Sequence, residues 1–241
     1  MRLPLSELEG LLGETRRPGE RPRASERGSR RDTASPTSDD SVAAPFVASL
    51  LGAAGSLDRR SLRRALVEAW ARLGPLECLV GVVAPFLREV GAAWAEGTLS
   101  VRHEHFASGI AADFLREARR PFEERAEGPA VVAATLPGDM HEIGLLSVAL
   151  VLSMGGWRVA YLGHDTPVRE IAAFAKEAGA RAVAVSVSPS RRRGAASALL
   201  ALRAALPRGT ELWLGGEGAP ADVPGSTRFE NLSALASRLD R

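Results

Sequence analysis

The sequence predicts an α/β protein in which a four-helix bundle precedes a doubly wound parallel sheet. Two patterns predict it. From Phe46 to Arg120 the apolar residues recur at helical spacing. After Pro121, short continuous apolar runs alternate with helical segments, as in parallel βαβ units. The composition allows a sizeable core: of 241 residues, 45% are hydrophobic and 25% charged. Collagen-like, coiled-coil and wholly disordered chains are thereby excluded.

Near the N-terminus, Ser6 can cap a turn or two of helix bearing Leu8, Leu11 and Leu12. So short a helix does not fold alone. The stretch that follows is rich in Arg, Pro, Ser, Gly and acids, too polar to offset its conformational entropy. Residues 1–45 are therefore expected to be a helix remnant and a disordered linker. The bundle is expected over residues 46–125. FVASLLGAAG supplies its first helix. Asp58 or Ser56 caps the second, which runs to Leu73 with Leu62, Leu66 and Trp70 on one face. Gly74-Pro75 breaks the chain. A third helix over 76–95 carries Leu79, Val82, Val83, Phe86, Leu87 and Val90 on its apolar side. Gly97 ends it, and Ser100 caps a fourth over 101–119. Four helices with short connections suggest an antiparallel bundle.

The sheet domain is expected over residues 126–241. Strands are read in AVVAATL, WRVAYLG, ARAVAVSVS and TELWLGG, with a weak last one in TRFE. Helices are read over 142–154, 167–178, 194–205 and at the C-terminus. Sheets of this kind bind ligands at the carboxyl ends of their strands, near the topological switch point.

Charge and cysteine content exclude other classes. The net charge is +2 and the pI about 9.3, too small an excess to indicate nucleic-acid binding. Gly, Pro or charge interrupts each apolar run before 18 residues, so no transmembrane helix is expected, and no secretory signal pattern is present. The single cysteine, Cys78, excludes an internal disulfide and a multi-cysteine metal site. A cytoplasmic location is the default expectation.

The candidate chemistry centres on histidine. His103 and His105 fall on the fourth bundle helix, while His141 and His164 follow the first two strands. His141 lies in Thr135-Leu136-Pro137-Gly138-Asp139-Met140-His141-Glu142-Ile143-Gly144, the first strand-to-helix loop. Asp139 stands two residues before it. The loop has neither a G-x-G-x-x-G fingerprint nor a P-loop lysine, so it is not built for phosphate. The histidine spacing matches no all-protein zinc site. A metal that arrives in its own macrocycle needs only one or two axial ligands, and one well-placed histidine fits that need.

Asp139-Met140-His141-Glu142-Ile143-Gly144 matches D-x-H-x-x-G, the pattern of cobalamin-binding domains. Ser186-Val187-Ser188 and Gly215-Gly216 stand where that family carries S-x-L and G-G. Upstream, Trp94 precedes Glu104-His105 by the spacing W-x9-E-H. Together these motifs resemble the CarH/LitR family of light-responsive cobalamin regulators. The resemblance covers Phe46 to Arg241 and implies a Rossmann-like cobalamin-binding domain behind a helical cap. It implies that His141 is the lower axial ligand to cobalt and that Asp139 holds the other ring nitrogen. It implies room for the displaced nucleotide tail at Gly144, Gly215 and Gly216, with Ser186 bonding the tail base. Gly163 would pass the corrin edge. Trp94, Glu104 and His105 would cover the upper face, where an adenosyl group sits.

The match has two departures. Ser188 replaces the Leu of S-x-L, a small change in packing beside the tail. Ala95 stands where some members carry a second cobalt-binding histidine after the Trp, so a bis-histidine state either needs another donor, such as His105 or His103, or does not form. RLPLSELEGLLG resembles the closing stretch of an excisionase- or MerR-type winged helix, so a shortened chain is expected, one that reads DNA only if that domain is restored.

The reading is a non-enzymatic cobalamin sensor, with adenosylcobalamin as cofactor. Its output is transcriptional, directly or through a partner regulator, and a homo-oligomer is among the expected assemblies. No membrane partner is expected. The alternative is a corrinoid carrier module of a methyltransferase system, with methylcobalamin as cofactor.

Overall fold

The structure, a computed structural model, describes residues 40–239. The expected N-terminal helix remnant and most of the expected linker lie outside the described residues. Helix α1 spans Asp40–Gly55, so it starts inside the segment expected as linker. Its polar start and Pro45 disguise it in the sequence. Burial of Ala43 and Val47 against the core holds the early turns in place. Helix α2, Arg59–Leu73, is capped by Asp58, whose Oδ1 accepts from Ser61 N at 3.0 Å.

Helix α3 runs over Pro75–Ala95 with a π-helical turn at Cys78–Val83. Ala84 N bonds Leu79 O there, one residue wider than α-helical spacing. The widened turn precedes Pro85, which has no N–H to donate. By length and composition this helix is apolar enough to cross a bilayer, although Pro85, Arg88 and Glu89 interrupt its apolar run. The structure places it in the bundle, with Cys78, Leu79, Val82, Val83, Phe86 and Val90 buried in the shared core. Helix α4 spans Val101–Glu123, past its expected end, because Pro121 is accommodated in its last turns.

Strands β1 (Ala130–Thr135), β2 (Arg158–Gly163), β3 (Ala182–Ser186), β4 (Glu211–Gly215) and β5 (Thr227–Arg228) form one parallel sheet in the order β2-β1-β3-β4-β5. The connecting helices are α5 (Glu142–Met154), α6 (Val168–Glu177), α7 (Ala195–Ala205) and α8 (Leu232–Leu239). Alternate strand residues face opposite sides. Val132, Ala134, Val183 and Val185 pack with Ile171 of α6 and Leu199 and Leu202 of α7. Val131, Ala182, Ala184 and Trp213 face the other side, in a core shared with α5 and the bundle. Helix α5 therefore lies between the sheet and α4. Burial on two sides explains why EIGLLSVALVLSM is apolar almost all round.

Strand order reverses between β1 and β3, which makes a crevice at their carboxyl ends. Register carries this further. Thr135 pairs with Ser186, and Ser186 with Gly215, so three strand ends line one edge of the crevice.

Candidate functional site

The β1–α5 loop is held from inside. Thr135, fully buried, donates its hydroxyl to Asp139 O at 2.7 Å and accepts from Asp165 N at 3.0 Å. Asp165 Oδ1 accepts from Gly138 N at 2.7 Å. Two loops are thus locked together, and Asp165 is held at φ 52°, unusual for a residue with a side chain. None of this is marked in the sequence. Thr135 and Asp165 look there like a strand end and an ordinary loop acid.

Asp139 is 0% exposed. Its Oδ2 accepts from Ser188 N at 2.8 Å. Its Oδ1 accepts from His141 N at 3.2 Å and lies 3.3 Å from His141 Nδ1. A buried carboxylate needs such donors, and here they come from both loops that border the crevice. The His141 side chain is 63% exposed. Its Nδ1 also lies 3.4 Å from Ser190 Oγ, which in turn contacts Ser188 Oγ at 2.8 Å. With Nδ1 engaged, Nε2 is the ring nitrogen with no hydrogen-bond partner among the described residues. Ser188 also has a part that the motif does not mark. Its backbone amide holds Asp139, which any non-proline residue there can do.

The glycines separate into distinct cases. A Cβ on Gly144 would stand 3.0 Å from Ser186 Oγ, so its absence lets α5 approach β3. Gly216 has φ +92°, and a Cβ there would stand 2.4 Å from Val187 O. Gly216 is therefore demanded by the backbone itself. Gly215 has nothing within 4 Å of its missing Cβ and opens on free space at the strand edge. Gly163 ends β2 at φ +87°.

The bundle residues form a second cluster. Trp94, in the last turn of α3, is 52% exposed and so is not bundle core. Glu104, near the start of α4, accepts from Ser108 Oγ at 2.6 Å and lies 3.1 Å from His105 Nδ1. His105 is exposed. His103 Nδ1 accepts from Ser100 N at 3.2 Å, so that nitrogen serves the α4 N-terminus. No hydrogen bond or ion pair among the described residues joins Trp94, Glu104 or His105 to the His141 loop. His164 is an exposed loop residue. Cys78 is buried in the bundle, and burial pushes its thiol up to about 12.

Among the described residues, no three His, Cys, Asp or Glu side chains come together as a metal cage. The arrangement fits a metal bound in a macrocycle: one oriented imidazole, a free Nε2, and a glycine-lined opening beside it. Residues 129–226 match the B12 binding domain family, and residues 47–117 match a second family of the same description.

The chain carries B12 binding domains in both its bundle and its sheet region.

The resemblance read from D-x-H-x-x-G and W-x9-E-H is thus borne out for this B12-binding chain. It is 35% identical over 176 residues to the HTH-type transcriptional repressor CarH of Myxococcus xanthus, covering 71% of the chain and 57% of that relative. It is 30% identical over 126 residues to the dimethylamine corrinoid protein of Methanosarcina barkeri, covering 51% of the chain and 59% of that relative. The chain therefore spans between half and two thirds of these curated relatives. The monomethylamine corrinoid protein of Methanosarcina barkeri shares the fold, with a TM-score of 0.65 at 16% identity over 82% of this chain and 98% of that one.

Proposed function

We propose that this B12-binding chain is a cytoplasmic cobalamin sensor that takes adenosylcobalamin and changes state in light, with transcription as its output. Trp94 carries this reading. A large indole left half-exposed at the end of a bundle helix offers a flat apolar surface, which a bulky upper ligand uses and a methyl group does not. The similarity to the CarH repressor supports a transcriptional output.

His141 would hold cobalt through Nε2, and Asp139 would fix the ring and its tautomer. Ser186, Gly144, Gly215 and Gly216 would receive the nucleotide tail, with Gly163 beside the corrin. Glu104 would accept ribose hydroxyl protons, with Trp94 and His105 completing the cover. Bound there, the cofactor would supply a weak, light-sensitive cobalt–carbon bond. The chain's part is to bind, orient and cover, and then to relax once the cover has nothing beneath it, biasing an assembly or a contact with a partner regulator. No residue is assigned to catalysis.

The second reading is a corrinoid carrier for methyl transfer, favoured by the match to the dimethylamine corrinoid protein. One experiment separates the two. The protein is saturated with adenosylcobalamin in the dark, then illuminated while its absorption spectrum and elution volume are followed. Both change if the chain is a light sensor. Unchanged spectrum and volume, with tighter binding of methylcobalamin, would favour the carrier.

A further inference from the structure

Glu142 occupies a position that D-x-H-x-x-G leaves open, yet through it the histidine loop meets the bundle. It is the first residue of α5, directly after His141. Its Oε2 accepts from Arg116 Nη2 of α4 at 2.6 Å. Its Oε1 accepts from the Tyr161 hydroxyl of β2 at 3.0 Å. One carboxylate thus takes donors from a bundle helix and from an edge strand, and the arginine bond is charge-assisted.

Arg119, almost one turn further along α4, completes the arrangement. Its Cζ lies 5.2 Å from the Tyr161 ring centroid, and its Nη2 donates to Glu123 at 3.2 Å. Its Nε and Nη1 are buried without hydrogen-bond partners among the described residues. A guanidinium held so against a ring keeps the ring, and hence its hydroxyl, aimed at Glu142. Burial, and then the charge of Glu142, hold the Tyr161 hydroxyl above its ordinary pKa, so it stays a donor.

Helix α4 also carries Glu104 and His105, roughly 18 Å along its axis from Arg116 at the standard helical rise. A helix of this kind moves as a rod. A displacement at its N-terminal end either carries Glu142 with it or breaks the Arg116 contact.

We propose that Glu142 is a positioning residue: clasped by Arg116 and Tyr161, it ties the His141 loop to α4, so that cap helix and ligand loop move as one body. The proposal rests on the cobalamin reading for what His141 binds, while the clasp itself belongs to the free protein.

Hydrogen exchange on the ligand-free protein tests the clasp, and visible spectra of protein loaded with hydroxocobalamin test its consequence. The variants are Arg116→Met, Glu142→Gln and Arg116→Lys, with His141→Ala as the spectral reference. In Arg116→Met and Glu142→Gln, the amides of Gly138, Asp139 and His141 exchange at least about threefold faster, while those of β3 and β4 keep their rates. Arg116→Lys recovers most of the protection. The loaded Met and Gln variants shift toward the His141→Ala spectrum. Unchanged exchange at the three loop amides, or faster exchange spread equally over β3 and β4, overturns the proposal. If the parent protein takes up no hydroxocobalamin, the cobalamin reading fails, and the exchange measurement still decides the clasp.

Discussion

Asp139→Asn exchanges one oxygen of the site for an amide nitrogen and sets a conflict that the buried loop cannot relax. The native carboxylate is fully buried and serves three donors: Ser188 N on Oδ2, and His141 N and Nδ1 on Oδ1. Asparagine offers one acceptor and one NH2 group. If its oxygen faces Ser188, the NH2 meets the His141 donors. If it is turned, the NH2 meets the Ser188 amide. Ser188 N makes the shorter bond at 2.8 Å, so the first arrangement wins and His141 loses its anchor. A hydrogen bond to a charged group contributes about 1.5–3 kcal/mol, and a buried unsatisfied donor costs about 1–3 kcal/mol. A net loss of about 2 kcal/mol is expected for the free protein. At this chain length that lowers Tm by roughly 4–8 °C. Loss of the group that orients a metal-binding histidine should also weaken hydroxocobalamin binding by about 10- to 100-fold. Thermal unfolding followed by circular dichroism measures the first effect, and spectral titration the second. A variant that melts within about 1 °C of the parent and binds as tightly would refute the account of how the loop is held.

Three further outcomes are expected. Gly216→Ala forces a left-handed residue to carry a Cβ 2.4 Å from Val187 O, so its Tm falls, with about 1–2 kcal/mol from the backbone alone; Gly215→Ala meets nothing within 4 Å, so its Tm holds while hydroxocobalamin affinity drops. Equal behaviour of the two in melting and titration would contradict the division made between them. Cys78 has its thiol raised from 9.0 to about 12 by burial, so its stabilising contribution is complete below pH 9.0 and is lost as pH rises toward about 12. A Cys78→Ala variant should show a shallower loss of stability across that window in urea titrations. Phe86→Ala empties a fully buried site and costs about 3–5 kcal/mol, whereas Trp94→Ala, at a half-exposed position, changes urea stability little and adenosylcobalamin binding more.

The site was partly legible. His141 and Asp139 stand out because the first strand-to-helix loop is a local feature, marked by an apolar run, a turn and a helix start. Trp94 was legible as a residue but not as an exposed one, since a Trp in an apolar helix reads equally well as core. Thr135, Asp165 and the Ser188 amide were not legible. Each acts through a partner in another loop, and all three contacts use a backbone N–H, which every residue but proline carries. Glu142 read as an ordinary acid in the first turn of a helix. Its meaning depends on Arg116, 26 residues earlier, and Tyr161, 19 later.

By itself the sequence determined the order and kind of the elements, because periodicity, caps and turns act over a few residues. It also determined which loop bears the imidazole. Only the tertiary structure decided the strand order β2-β1-β3-β4-β5, and with it the alignment of Thr135, Ser186 and Gly215 along one edge. It also decided that α1 begins at Asp40 and that α5 lies between sheet and bundle. Those outcomes rest on burial and register between segments far apart in the chain. Their free energies arise only when the segments meet.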